Sequence, residues 1–230
     1  VVGYPICVLL VDVVYGYPYT TFDYHCQGGA LMSISLDFQR YLEKLCSGLG
    51  HADRHRGLYD YCCGLMHPLE RKSIEPLAAC SDPCHLRAKH QSLHHFIANA
   101  EWSDEILMEQ VQKWVIPSLG VEKECYWIVD DTGIPKHGKH SAGVAHQYCG
   151  QLGKQEKCQV AVSLSVATAG GSIPVAYRLY LPKEWTDDAA RCKQAGIPEG
   201  VGFLTKPEIA LDQMRTAKLL AIPSGIVLAD

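Results

Sequence analysis

Three aspartates close two short apolar runs: Trp127-Ile128-Val129 leads into Asp130-Asp131-Thr132-Gly133, and Ile226-Val227-Leu228-Ala229 leads into Asp230. Carboxylates held together at the tips of buried strands repel one another and take up protons unless a cation or a donor offsets their charge. Their hard oxygens suit magnesium or manganese, and one or two carboxylates with retained waters and a phosphate is the usual magnesium arrangement. The pattern therefore points to phosphate chemistry. Adjacent residues of a strand face opposite sides, so one of the two neighbouring acids enters the pocket. Asp131 shares a face with Trp127 and Val129 and is taken as the metal ligand together with Asp230. Asp130 and Thr132 are expected to support it from behind.

A second chemical feature follows directly. Between Thr132 and Lys157 lie Lys136, His137, Lys139, His140, His146, Lys154 and Lys157, against Glu156 as the sole acid. Such a patch can hold a DNA backbone through phosphates without reading sequence, and Lys136, Lys139, His140, Lys154 and Lys157 are the expected contacts. An ordinary solvated loop is the competing reading. The whole chain carries a net charge of −4, so no global basic field draws nucleic acid, and any DNA contact is local.

Cys80, Cys84, His90 and His94 have plausible spacing within each pair, but the gap between the pairs is too short for a zinc finger; a helix with surface histidines is the expectation. Arg54-His55-Arg56 and Arg71-Lys72 read as solvated faces. Eleven cysteines, an odd number without a regular framework of spacings, indicate reduced thiols in a cytoplasmic protein. Val1 to Pro18 is apolar but interrupted by Asp12 and lacks a basic start, so neither a signal peptide nor a membrane span is expected.

The elements that must position these residues fall into two styles. Residues 1–31, rich in Val, Tyr and Gly, read as a non-native or disordered leader carried in frame, with an N-terminal strand pair as the alternative. Residues 32–120 are helical in periodicity: Phe38, Leu42, Leu45 and Leu49 make one stripe, and Leu58, Tyr61, Cys62, Leu65 and Met66 a second that ends at Pro68. Leu69–Ala79 and Leu86–Ala98 are shorter helices. Ser103 caps a last one, with Asp104 and Glu105 in its first turn and Leu107, Val111, Trp114 and Val115 as its buried face.

From 121 onward the period changes to two. After the Asp131 strand, Val160, Val162, Leu164 and Val166 alternate with Ala161, Ser163 and Ser165, Gly170-Gly171 turns the chain, and Ile173, Val175, Tyr177, Leu179 and Leu181 alternate again, a hairpin with one buried face. Pro174 near the start of the second arm indicates an unpaired N–H or a sheet edge. A polar loop spans 182–202. Thr205-Lys206-Pro207-Glu208 is a capping box with proline in the first turn, opening a helix whose apolar face uses Ala210, Met214, Ala217 and Ala221 and which feeds the strand before Asp230. The class is α/β: a helical N-terminal domain that is a candidate for DNA binding, and then strand-strand-strand-helix-strand. That order, with acids ending the first and fourth strands, is the ribonuclease H-like arrangement, incomplete at the C-terminus; a right-handed crossover makes those two strands parallel and brings both acids to one end of the sheet.

Trp127-Ile128-Val129-Asp130-Asp131-Thr132-Gly133-Ile134-Pro135-Lys136, Gly138-Lys139-His140-Ser141, Gln147-Tyr148-Cys149-Gly150-Gln151-Leu152-Gly153-Lys154, Glu184-Trp185, Lys206-Pro207-Glu208-Ile209-Ala210 and Val227-Leu228-Ala229-Asp230 resemble the DDE-superfamily transposases of bacterial insertion sequences, and the likeness extends from about Met32 to the end. The resemblance implies an enzyme that cuts double-stranded DNA at transposon ends and joins the freed 3′ hydroxyl to target DNA, with two Mg2+ or Mn2+ ions on an Asp, Asp, Glu triad. Asp131 corresponds to the first acid and Asp230 to the second; the third is expected beyond Asp230. A bacterial, nucleoid-associated location follows, and assembly as a homodimer on DNA is compatible with it. Two readings compete with a catalytic fragment: a catalytically dead DNA-binding remnant or regulator of transposition, and, more weakly, a magnesium phosphohydrolase with an aspartyl nucleophile, disfavoured because Asp130-Asp131-Thr132 is not an alternating Asp-x-Asp.

Overall fold

A computed structural model describes residues 36–121 and 124–229. The expected leader at 1–31 and Asp230 lie outside the described residues. The chain divides into two compact units between Lys113 and Trp114.

The first unit is all helix: α1 (Leu36–Cys46), α2 (Ala52–Met66), α3 (Ile74–Ser81), α4 (Leu86–Ala98) and α5 (Asp104–Val115), with a 3-10 turn at Pro83–His85. Its core is the set of stripes at three- and four-residue spacing: Leu42, Leu45 and Leu49 from the first helix and its exit, Leu58, Tyr61, Cys62 and Leu65 from the second, and Leu77, Leu93, Phe96, Leu107 and Val111 from the rest, all buried. Gly57 lets α2 close on α4, because a Cβ there would overlap the Phe96 ring. Ser103 caps α5 through its Oγ, which accepts from the Ile106 amide at 3.3 Å. The third helix starts five residues later than its apolar pattern suggested. Lys72 is used instead to donate to the carbonyls of Leu65 and His67 at the end of α2, satisfying acceptors that a helix terminus leaves open.

Two expected solvated faces are partly engaged. Arg54 donates to the Leu49 carbonyl at 2.8 Å, and Arg56 pairs with Asp60 at 3.1 Å. Asp60 also binds Lys89 at 2.7 Å, with both side chains only 11% exposed. His90 and His94 stack on one helix face at 6.4 Å. Among the described residues no group of three or more His, Cys, Asp or Glu side chains is arranged to hold a metal. None of the nine described cysteines is in a disulfide.

The second unit is a mixed sheet of β1 (Tyr126–Pro135), β2 (Ala145–Cys149), β3 (Lys154–Thr168), β4 (Gly171–Leu179) and β5 (Ile226–Ala229). β3 is the axis: β1, β2 and β4 all pair with it antiparallel. β5 pairs parallel with β1, Val129 opposite Ala229. This is the expected ribonuclease H-like partial sheet with one added strand, β2, which forms because the basic loop folds back on Lys154–Cys158. A bulge at Leu164/Ser165 accommodates Pro174 on β4.

Helix α8 (Lys206–Leu219) supplies the crossover, opened by the full capping box. Ile209 and Ala210 pack on Val162 with Val129 and Leu204 beside them. The face of α8 differs from the expected one at two points: Gln213 is buried, donating to the Val162 carbonyl at 2.9 Å, while Ala221 lies beyond the helix, exposed, at φ 56°. The segment 182–202 is more ordered than a polar loop. It forms α6 (Lys183–Thr186) and α7 (Ala189–Gln194), because Trp185 buries completely against Ala142, Leu181 and Ile197. Among the described residues no helix is long and apolar enough to cross a membrane.

Candidate functional site

Asp130 and Asp131 do not sit at a strand tip. β1 continues through Asp130, Asp131, Thr132 and Gly133 to Pro135, each paired with β3, because β3 is long enough to offer every one of them a partner. The strand alternation nevertheless survives. Val129 packs under the start of α8, and Asp131, two residues on, lies on the same side. Asp130 and Thr132 are exposed, and Asp130 Oδ1 accepts from the Asp131 amide at 2.8 Å.

The partner of Asp131 is a cation from the chain itself. Lys206 Nζ donates to Asp131 Oδ2 at 2.8 Å, with the side chains 35% and 43% exposed. The topology dictates this meeting. α8 returns the chain so that β5 can run parallel to β1, which sets the helix start at the carboxyl end of β1, and Lys206 is its first residue. A lysine in a helix first turn opposes the helix dipole, so its position is supported by the acid rather than by the helix. The Lys206 ammonium is also 5.8 Å from the centre of the Tyr180 ring. Tyr180 meets Phe203 edge-on at 6.3 Å, and Lys183 lies 5.1 Å over Phe203. A wall of two lysines and two aromatic rings thus borders Asp131.

Sequence reasoning missed Lys206 as the partner of Asp131. The signal was present: a capping box in the crossover helix fixes which end of that helix faces the acid-bearing strand.

The basic patch stands apart from this wall. Lys157 is five positions along β3 from Val162, the partner of Asp131, or about 17 Å of strand. The Lys136 amide donates to the Lys157 carbonyl at 2.9 Å, which brings Lys136 and Lys157 together. Lys139, His140, Lys154 and Lys157 are exposed. Lys154 pairs with Glu156 at 3.3 Å, and Glu156 is held below the usual carboxylate range by the Lys157 amide and then by Lys154. The loop bearing Lys139 is tied down by the buried Trp185, whose Nε1 donates to the Val144 carbonyl at 2.9 Å, and by Arg191. The Arg191 guanidinium stacks 3.7 Å over the Trp185 ring and reaches the Lys139 and Val144 carbonyls at 3.4 Å.

The donor set in the described residues fits one cation-holding carboxylate and not a two-ion centre. Asp131 is already neutralised by Lys206, Asp130 lies on the other side of the strand, and no three candidate ligands group together among the described residues.

Residues 44–230 match the family model described as DDE superfamily endonuclease. A curated protein of Microchaete diplosiphon, described as a probable transposase for insertion sequence element IS701, is 28% identical over 167 residues, covering 73% of this chain and 40% of that protein. The chain thus spans well under half the length of this relative.

Proposed function

Because the chain belongs to the DDE superfamily endonuclease family, we propose that it is a segment of an insertion-sequence transposase which engages double-stranded DNA and, by itself, does not cut it. The family match carries the assignment to transposition. The Lys206–Asp131 ion pair, in a region where no ligand cluster forms among the described residues, supports the binding role over the cleaving one.

In this reading Lys136, Lys139, Lys154 and Lys157, with His140, hold the DNA backbone, each lysine replacing a condensed counterion at a phosphate. Trp185 and Arg191 keep the loop carrying Lys139 in place. In a longer protein Asp131, Asp230 and a third acid would hold magnesium or manganese, which would supply activation of a water or hydroxyl and stabilisation of the leaving oxygen. Transposon ends and target DNA are the partners this reading names, and pairing of two copies on DNA belongs to the same proposal.

The test is the salt dependence of DNA binding, read by fluorescence anisotropy with a labelled duplex. Replacing Lys139, Lys154 and Lys157 together by Gln should lower the slope of log K against log salt by about 2.7, at about 0.9 per phosphate contact. An unchanged slope would remove the patch from the interface.

A further inference from the structure

The hairpin that carries part of the basic patch has two unlike faces. β2 and β3 pair so that His146 lies opposite Lys157 and Tyr148 opposite Gln155. Residues directly opposite in an antiparallel pair share a face, as do residues two apart along a strand, so these four form one face, and all four are exposed. Glu156 lies opposite Gln147 on the other face, where both are half-buried. The exposed face therefore combines a lysine, an imidazole, an aromatic ring and an amide, without a carboxylate. Tyr148, at 60%, is the most exposed aromatic side chain among the described residues. The other face is fixed in place: Cys149 and Cys158 are fully buried with Val160, the Cys149 thiol donates to the Gly133 carbonyl at 3.4 Å, and Gln147 Nε2 donates to the Cys158 carbonyl at 3.0 Å. Gly133 permits this approach, because a Cβ there would lie 2.9 Å from the Cys149 Cα. A ligand meeting the exposed face thus finds it already ordered.

Tyr148 and Lys157 are diagonal neighbours across the hairpin, about 7 to 8 Å apart, so a base stacked on the ring leaves its backbone beside the ammonium. Gln155, directly across from the ring, brings both donors and an acceptor to a base edge. A continuous duplex keeps its base faces covered, whereas an unpaired strand offers a π-face at every base, and aromatic rings beside cations are the usual means of holding one. Resting on the reading that the basic patch holds DNA backbone, we propose that the exposed face of this hairpin is a seat for single-stranded DNA, with an unpaired base stacked on Tyr148 and its phosphate held by Lys157. His146 and Gln155 flank the stacked base.

The test is fluorescence anisotropy of the whole chain with a labelled single strand and with the blunt duplex of the same sequence, across a salt series. Wild type, Tyr148→Ala, Tyr148→Phe and Lys157→Gln are compared, each first shown to melt like wild type. Truncating the ring should weaken single-strand binding about 5- to 150-fold, the range of one base–aromatic stack. The slope of log K against log salt should stay unchanged in Tyr148→Ala, because stacking releases no counterion. Tyr148→Phe keeps the ring and should bind the single strand within about twofold of wild type. Lys157→Gln should lower the single-strand slope by about 0.7. Duplex binding should be the same for Tyr148→Ala and wild type. Single-strand affinity of Tyr148→Ala within about twofold of wild type, with the slope lowered in Lys157→Gln, would overturn the stack and leave the patch a phosphate-binding surface. An equal loss on the duplex would overturn the assignment to unpaired bases. Wild-type slope in Lys157→Gln together with wild-type affinity in Tyr148→Ala would overturn both readings. A dimer lost in Tyr148→Ala, seen by sedimentation, with single-strand binding intact would overturn the proposal in favour of a contact between copies of this chain.

Discussion

Trp185→Phe is the substitution that probes how the site is held without touching it. The ring is fully buried among Ala142, Leu181 and Ile197, so removing the indole nitrogen breaks the 2.9 Å bond to the Val144 carbonyl. Arg191 still reaches that carbonyl, which limits the loss to about 1 kcal/mol. The smaller ring also leaves a void and reduces the surface on which Arg191 stacks, adding about 1 to 2 kcal/mol. The sum is about 2 to 3 kcal/mol. For a unit of this size about 4 °C of Tm corresponds to each kcal/mol, so its transition should fall by about 8 to 12 °C in differential scanning calorimetry. The helical unit's transition should stay where it is. A shift under about 2 °C would refute the claim that Trp185 anchors the basic loop.

Three further substitutions address other supports. Gly225→Ala places a methyl group on the Cys125 carbonyl, beside the bond from the Ile226 amide that starts β5; it should lower the Tm of the sheet unit and raise hydrogen exchange in 226–229, measured by mass spectrometry. Asp60→Asn leaves Lys89 without its buried counter-charge and should cost the helical unit about 3 kcal/mol in urea denaturation. Thr205→Ala should cost about 1 kcal/mol by removing the α8 cap. The carboxyl of Glu208 is held low by the Thr205 hydroxyl and amide. Its contribution is therefore full above the ordinary carboxylate value of 4.5 and lost as pH falls through the lower folded value, so the difference between wild type and Thr205→Ala should shrink in acid.

The strand order and the helical stripes were legible because period and capping are local properties. Leu42, Leu58 and Leu107 are where three- and four-residue spacing puts them, and Thr205 to Glu208 starts α8 as a capping box must. What local pattern did not carry was pairing partner. β1 looked finished at Thr132-Gly133, yet it runs to Pro135 since β3 continues alongside it. The 182–202 segment read as polar, but one residue, Trp185, outweighs its neighbours by burying entirely. The ion pair of Asp131 with Lys206 spans 75 positions, and only the crossover geometry brings its two ends together.

The most direct test of the central claim is a nicking assay on supercoiled plasmid with the 230-residue chain, in Mg2+ and in Mn2+, beside Asp131→Ala. DNA retention in a mobility-shift control and no nicking above the Asp131→Ala background are expected. Metal-dependent nicking that disappears in Asp131→Ala would contradict it, because this chain would then assemble a working centre on its own.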